Sequence, residues 1–165
     1  MSDRRDFLMR GGIWAGVLGI ATQGAASLRS LIPNVSYDAP TTVKLGLPAE
    51  FPDGLKFLPD QRLFIFREGN VYHAISAVCT HLGCTVRAEA LSQAETKTVD
   101  GKPLRLTHRF LCPCHGSKYS GDGTNVSGPA PKPLAWYHLS VAPEDGQLVV
   151  DLARAVDRDF RLTVV

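Results

Sequence analysis

Hydrophobic positions along the chain first form one uninterrupted apolar segment and then change to the short runs that are typical of β-strands. The apolar segment, residues 11–28, carries no charged side chain and lies between Arg10 and Arg29. As a helix rising about 1.5 Å per residue it would be roughly 27 Å long, enough to cross a thin hydrocarbon layer. Residues 1–30 are therefore expected to contain one transmembrane helix, with its N-terminus in the cytoplasm because the arginines precede it.

The remaining pattern predicts a mainly β head at residues 41–165. Six runs rich in β-branched and aromatic residues predict strands: 62–67, 71–75, 104–111, 137–141, 147–150 and 160–165. Glu68-Gly69-Asn70 joins the first two runs, and residues 143–146 join the fourth and fifth, so two hairpins are expected. We expect these strands to form an antiparallel sandwich or barrel with long functional loops.

Two segments lack the strand pattern. Residues 31–40 contain two prolines and are expected to form a flexible neck, about which the head could swing. Between positions 84 and 112 lies a long spacer, in which residues 88–94 favour a short helical turn. The polar stretch 92–102 in the same spacer is expected to be a surface excursion.

Composition and charge narrow the class of protein. The chain has 165 residues, of which 44% are hydrophobic and 21% charged, as in ordinary globular domains. Eighteen Lys and Arg against sixteen Asp and Glu give a net charge of +2. The first thirty residues hold four arginines and two aspartates and account for all of it. The head is therefore neutral overall, and no nucleic-acid partner is expected.

The N-terminus carries an export motif. Ser2-Asp3-Arg4-Arg5-Asp6-Phe7-Leu8 resembles a twin-arginine signal, which a receptor reads as an address. Such a signal would place the head on the periplasmic, or extracytoplasmic, side of the cytoplasmic membrane. Two outcomes stay open for the apolar segment: a retained single-pass anchor, or a signal peptide cleaved near the small residues 24–26.

The candidate chemistry lies in two short cysteine- and histidine-containing segments. One reads Cys79-Thr80-His81-Leu82-Gly83-Cys84, and the other reads Cys112-Pro113-Cys114-His115-Gly116-Ser117. Thiolate and imidazole are good ligands for iron and zinc, so the doubled pattern indicates a metal site. Zinc bound by Cys and His, or two disulfides in an exported domain, are the alternatives. The other histidines, His73, His108 and His138, lie in strand-like runs without partner cysteines and are expected to be core or surface residues.

These two segments closely resemble the signature of the Rieske iron–sulfur family, in the high-potential branch found in cytochrome bc and cytochrome bf complexes. Gly128-Pro129-Ala130-Pro131 is similar to the proline loop of that family. The resemblance covers about residues 71–150 and implies a Rieske-type β-sandwich with two cluster-binding loops and one [2Fe–2S] cluster.

The resemblance also implies a role for each matched residue. Cys79 and Cys112 would bind one iron, His81 and His115 would bind the other, and Cys84 and Cys114 would form a disulfide between the loops. Two neutral imidazoles in place of two thiolates make the cluster easier to reduce, with a potential of about −150 to +300 mV. Ser117 and Tyr119 match positions whose hydroxyls hydrogen-bond a bridging sulfide and a ligand sulfur, which raises the potential further.

The function that the resemblance implies is electron transfer in a membrane quinol oxidoreductase. The chain would accept an electron from quinol with proton release and pass it to a c-type cytochrome or a copper protein, as a subunit that is not catalytic alone. His115, together with His81, would contact the quinol. Leu82 would help to form an apolar surface that docks on a cytochrome b-type subunit.

Other functions remain open. The first alternative is the small Rieske electron-relay subunit of an arsenite-oxidase-like molybdoenzyme. A ferredoxin-like carrier for a ring-hydroxylating oxygenase fits less well, because such carriers lack the export signal and the extra cysteine pair. A non-redox binding module held together by disulfides is the last alternative.

Overall fold

A 29-residue helix, α1 (Ser2–Ser30), contains the apolar segment, as expected. The computed structural model describes residues 2–32, 41–99 and 101–165, in two compact units that divide near residue 40. Thr22 donates its hydroxyl hydrogen bond to the helix backbone, at 3.0 Å from the carbonyls of Leu18 and Gly19. Within these described ranges, no helix combines the length and the hydropathy required to cross a membrane. Most of the expected neck, residues 33–40, lies outside the described residues.

The second unit is built from antiparallel strands, with one short 3-10 helix at Pro48–Glu50. The strands of its described residues are β1 (Thr42–Gly46), β2 (Gly54–Leu58), β3 (Leu63–Glu68), β4 (Val71–Ser76), β5 (Arg87–Val99), β6 (Lys102–Leu111), β7 (Lys118–Tyr119), β8 (Asn125–Ser127), β9 (Trp136–Val141), β10 (Leu148–Val156) and β11 (Leu162–Thr163). Six of them form one sheet in the order β1-β10-β9-β4-β3-β2, and β11 joins it by pairing with β4. The other four form a second sheet in the order β5-β6-β7-β8. The mainly β, antiparallel architecture is therefore confirmed.

Both predicted hairpins belong to the larger sheet. β3 and β4 pair from Leu63↔Ser76 to Glu68↔Val71, which leaves Gly69 and Asn70 as a two-residue turn. Gly69 has φ +60°, a conformation that such turns require and that glycine adopts without strain. β9 and β10 form the second hairpin. The strand predicted at 160–165 is shorter than expected, since β11 covers only Leu162–Thr163.

The core lies on both faces of β3. Leu63 and Ile65 belong to one buried cluster, whereas Phe64 and Phe66 belong to the other. Alternate residues of a strand point to opposite faces, so this strand is covered on both sides. The cluster around Phe64 also contains residues of the smaller sheet, such as Phe110, and therefore joins the two sheets.

The long spacer forms a hairpin, β5–β6, in which the strand predicted at 104–111 is confirmed as most of β6. The helical turn predicted at 88–94 is wrong, because these residues lie within β5. The polar stretch 92–102 lies mostly on the exposed end of the same hairpin. The register changes between Ala90↔His108 and Glu95↔Leu106, so β5 accommodates extra residues and Leu91 packs against the core. This irregularity removes the alternation by which a strand is recognised in the sequence.

Candidate metal centre

The two cysteine–histidine segments form neighbouring loops with the same backbone hydrogen bonds. We call residues 79–84 the first ligand loop and residues 112–117 the second ligand loop. In the first, the Cys79 N–H donates to the Cys84 carbonyl at 2.8 Å and the Gly83 N–H donates to the Cys79 carbonyl at 2.9 Å. In the second, the corresponding bonds are Cys112 to Ser117 at 2.8 Å and Gly116 to Cys112 at 3.0 Å. Each loop is therefore a closed turn that presents its histidine at the tip.

The β5–β6 hairpin places the loops side by side. The first ligand loop precedes β5 and the second follows β6, and Arg87 of β5 pairs with Leu111 of β6. A disulfide joins Cys84 to Cys114 across the loops, the pairing that the resemblance implied. The two loops are thus connected both by the hairpin and by a covalent bond.

The other two cysteines are free and buried. Cys79 is 2% exposed and Cys112 is 1% exposed, and both belong to the core cluster that joins the sheets. The sulfur atoms of Cys84, Cys112 and Cys114 lie within 4.8 Å of one another, which is close enough to hold a metal ion. However, Cys84 and Cys114 are consumed by the disulfide and cannot act as thiolate ligands. The thiols available to a metal in this region are therefore Cys79 and Cys112.

The two loop histidines lie next to each other. The ring centroids of His81 and His115 are 4.9 Å apart and the rings are perpendicular. His115 is exposed and His81 is half-buried. The Nδ1 atom of His81 is buried and has no hydrogen-bond partner among the described residues. Buried polar atoms are normally paired, so an unpaired imidazole nitrogen beside two buried thiols fits a metal ligand. This donor set of two thiols and two imidazoles is that of a Rieske [2Fe–2S] cluster.

Tyr119 connects β7 to the first ligand loop. Its hydroxyl lies 3.2 Å from Cys79 Sγ and accepts a hydrogen bond from the Thr80 N–H at 3.3 Å. Burial raises the pKa of Tyr119, and the contact with Cys79 raises it further, so the phenol stays protonated and donates to the sulfur. Burial also raises the pKa of Cys79, but hydrogen bonds from Tyr119 and from the backbone of His81 outweigh it, so the pKa is lowered overall. The surroundings of Cys79 thus favour the thiolate, the form that binds metal.

Ser117 lies at the end of the second ligand loop and is fully buried, with 0% exposure. Its hydroxyl accepts a hydrogen bond from the Ala130 N–H at 3.2 Å, which ties this loop to residues 128–131. Thr80 makes a similar connection from the first loop, donating to the Lys132 carbonyl at 2.6 Å. The segment that resembles a proline loop, together with the adjacent Lys132, is therefore hydrogen-bonded to both ligand loops.

Two residues contribute to this site without having been predicted from the sequence. Thr80 is one, although it lies within the motif. Arg62 is the other: its guanidinium donates to the Gly83 carbonyl of the first ligand loop. No spacing rule connects positions 62 and 83, so only the folded chain reveals this contact.

The other residues named in the sequence lie at the surface, in the core or within strands. Leu82, at the tip of the first ligand loop, is 71% exposed. His73 is a core residue, stacked between Phe66 and Trp136 with centroid distances of 4.7 and 4.6 Å. Burial holds the pKa of His73 well below its ordinary value, with a smaller effect of Arg161 in the same direction. His108 and His138 are half-buried in β6 and β9.

Known proteins resemble this chain over most of its length. The model of the Rieske [2Fe–2S] domain matches residues 41–138. The cytochrome b6-f complex iron–sulfur subunit of Chlorobaculum tepidum is 32% identical over 159 residues, which cover 90% of this chain and 77% of that protein. The chloroplastic subunit of Pisum sativum is 47% identical over 88 residues, 53% of this chain and 31% of that protein. The solved structure of the Rieske protein PetC3 from the plasma membrane of Synechocystis PCC 6803 is 26% identical and covers 66% of this chain and 97% of that one, with a TM-score of 0.37. The chain belongs to the Rieske family, and its cofactor is a [2Fe–2S] cluster.

Proposed function

We propose that this chain is the Rieske iron–sulfur subunit of a membrane quinol oxidoreductase of the cytochrome bc or bf type. The relative in Chlorobaculum tepidum, named as a cytochrome b6-f iron–sulfur subunit, is similar along 77% of its length. The observation that carries the proposal is the exposed tip of the site. His115 and Leu82 lie at the surface, whereas the thiols Cys79 and Cys112 are buried behind them.

The proposed ligands are Cys79 and Cys112 for one iron and His81 and His115 for the other. The support is the chemistry of the donors: two buried thiols that the disulfide does not use, and an unpaired Nδ1 atom on His81. When bound, the cluster supplies a one-electron acceptor of high potential.

The two loop histidines would bind the quinol and accept its proton. The exposed imidazole of His115 would accept a hydrogen bond from a quinol hydroxyl and then its proton, and His81 would share this surface. A ferric ion makes an attached imidazole more acidic than a ferrous ion does, so the proton affinity and the electron affinity of the site are linked. Leu82 would pack against a cytochrome b-type subunit and keep water from the quinol hydroxyl.

The N-terminal residues support a location in the cytoplasmic membrane. Arg4 and Arg5 would direct export, α1 would remain as a single anchor in the cytoplasmic membrane, and the head would lie on the periplasmic side. Glycine and alanine are abundant in α1, so it would pack closely against helices of other subunits. Alkaline extraction of membranes tests the anchor: a retained helix keeps the chain in the pellet, whereas a cleaved signal releases a shortened head.

The decisive experiment is purification of the chain with its native partners, followed by identification of their cofactors. The proposal predicts a haem-containing cytochrome b, quinol-dependent reduction of the cluster, and transfer to a c-type cytochrome or copper protein. Recovery with a molybdopterin protein instead would establish the alternative, a relay subunit of an arsenite-oxidase-like enzyme.

Substitution His115→Ala should abolish cluster binding, whereas the core variant His73→Gln should retain the cluster. An iron-containing His115→Ala protein with normal colour would contradict the ligand assignment.

A further inference from the structure

We infer that Arg62 is a positioning residue for the metal centre: its guanidinium holds the first ligand loop through the Gly83 carbonyl, and its charge favours the reduced cluster. The inference depends on the presence of the cluster and not on which complex the chain joins.

The backbone of Arg62 is held in an unusual conformation. It has φ +50°, the single positive value among the described residues other than glycine. Such a conformation costs free energy for a residue with a side chain, so the surrounding structure must maintain it. Its N–H donates to the Pro59 carbonyl at 3.1 Å, and its carbonyl accepts from the Ala77 N–H at 2.8 Å. Ala77 lies two residues before Cys79, so the backbone of Arg62 supports the entry to the first ligand loop.

The side chain of Arg62 reaches the other end of the same loop. One terminal nitrogen donates to the Gly83 carbonyl at 2.5 Å. Gly83, with φ +76°, also donates its N–H to the Cys79 carbonyl, and it precedes the disulfide-bonded Cys84. Arg62 therefore contacts both the entry and the exit of the loop that contains Cys79 and His81.

The surroundings of Arg62 make its charge effective. The side chain is half-buried, and its Nε atom is buried without a partner in the described part of the chain. Leaving a guanidinium donor unpaired has a cost, which is offset when the charge interacts with a negative site. Reduction adds one negative charge to the centre that this loop holds, so a fixed cation beside the loop stabilises the reduced state.

Arg67 provides a matched control. Arg67 lies in β3, the strand that begins directly after Arg62. Its guanidinium also donates to backbone carbonyls, in this case those of Phe51 and Gly69. Four residues of extended strand separate Arg67 from Leu63, the neighbour of Arg62, which corresponds to roughly 13 Å. The substitution Arg67→Met removes the same charge and the same kind of backbone contact, together with an ion pair to Asp53 at 3.6 Å, but it leaves the ligand loops untouched.

The test compares full-length Arg62→Met, Arg62→Lys and Arg67→Met in their membrane complex. Redox titration followed by electron paramagnetic resonance measures the potential, and hydrogen–deuterium exchange measures the protection of residues 79–84. We expect Arg62→Met to lower the equilibrium constant for reduction about threefold to tenfold, the upper value corresponding to about 59 mV. Hydrogen–deuterium exchange of residues 79–84 should be several-fold faster in Arg62→Met than in the wild type. Arg62→Lys retains the charge but not the planar donor group, so its potential should stay near that of the wild type while exchange accelerates.

Unchanged potential and exchange in Arg62→Met, or equal changes in Arg67→Met, would overturn the inference. If Arg62→Met contains no iron, the comparison of Arg62→Lys with the wild type tests the inference. Faster exchange of residues 79–84 with a near-normal potential supports it, and unchanged exchange overturns it. A wild-type chain without iron would refute the proposed function instead, and the exchange comparison would still test the contact between Arg62 and Gly83.

Discussion

Gly128 lies directly against the backbone of Ser117, so closely that a Cβ atom on Gly128 would be 2.5 Å from Ser117 Cα and 2.9 Å from its N atom. Gly128 also has φ +93°, a conformation that residues with side chains rarely adopt. The segment at residues 128–131 can cover the second ligand loop only because this position lacks a side chain.

Gly128→Ala should therefore displace this segment and weaken the metal centre. The backbone atoms of Ser117 cannot move without disturbing the loop, so we expect a loss of stability of about 2–4 kcal/mol together with loss of iron. Thermal unfolding and iron content measure both effects. Gly146→Ala is the matched control, because Gly146 has φ +70° but open space around its Cβ position. Equal effects of the two substitutions would mean that backbone strain, and not contact with Ser117, is responsible.

Tyr119→Phe should lower the potential of the cluster while leaving its iron content intact. The substitution removes the hydrogen bond to Cys79 Sγ, which stabilises the more negative, reduced state. The loss should correspond to about 1 kcal/mol in the reduction equilibrium. Tyr72→Phe is the control, since the Tyr72 hydroxyl donates to the Pro48 carbonyl at 3.0 Å, outside the ligand loops. A redox titration showing equal potentials for Tyr119→Phe and the wild type would contradict this role.

Replacing both Cys84 and Cys114 by serine should destabilise the head. The disulfide closes a loop of 30 residues. In the chain-entropy model this corresponds to about 3–4 kcal/mol. Replacing both residues avoids leaving a reactive thiol beside the ligands. Urea unfolding of the oxidised wild type, the reduced wild type and the double variant provides the comparison, in which the last two should coincide. A double variant as stable as the oxidised protein would show that the β5–β6 hairpin alone holds the loops.

Asp122 should stabilise the head at neutral pH and should lose this effect in acid. Burial raises the pKa of this carboxyl, but hydrogen bonds from Ser120 and Thr124 and the Lys97 ammonium at 3.0 Å outweigh it, and the pKa is about 2 instead of 3.8. A carboxyl whose pKa is lower in the folded than in the unfolded state stabilises the protein when the pH is above the unfolded-state pKa. This contribution is lost as the pH falls from about 5 towards 2. The expected contribution is about 2 kcal/mol at neutral pH.

Asp122→Asn should remove that pH dependence. The difference in unfolding free energy between wild type and variant should be largest near pH 6 and should shrink towards pH 3. Because both proteins contain the same metal centre, the pH dependence of the centre cancels in the difference. The exposed Asp157→Asn serves as the control. A difference that stays constant from pH 6 to pH 3 would refute the role of the carboxylate charge.

The sequence by itself determined the chemistry of the site and the local elements. The candidate ligands lie within two six-residue segments, and metal chemistry depends on the types of ligand more than on residues far away in the chain. The hairpin of β3 and β4 was predictable as well, because its turn residues and flanking β-branched runs are adjacent in the chain.

Only the tertiary structure decided how those parts come together. Strand β5 was missed because its exposed polar residues and its irregular register carry no alternating pattern, yet the pairing of its Arg87 with Leu111 of β6 sets the two ligand loops side by side. The contact between Arg62 and Gly83, and the one between Lys97 and Asp122, join positions 21 and 25 residues apart. Such contacts depend on how segments far apart in the chain pair and pack, and that tertiary context is not visible in a short stretch of sequence.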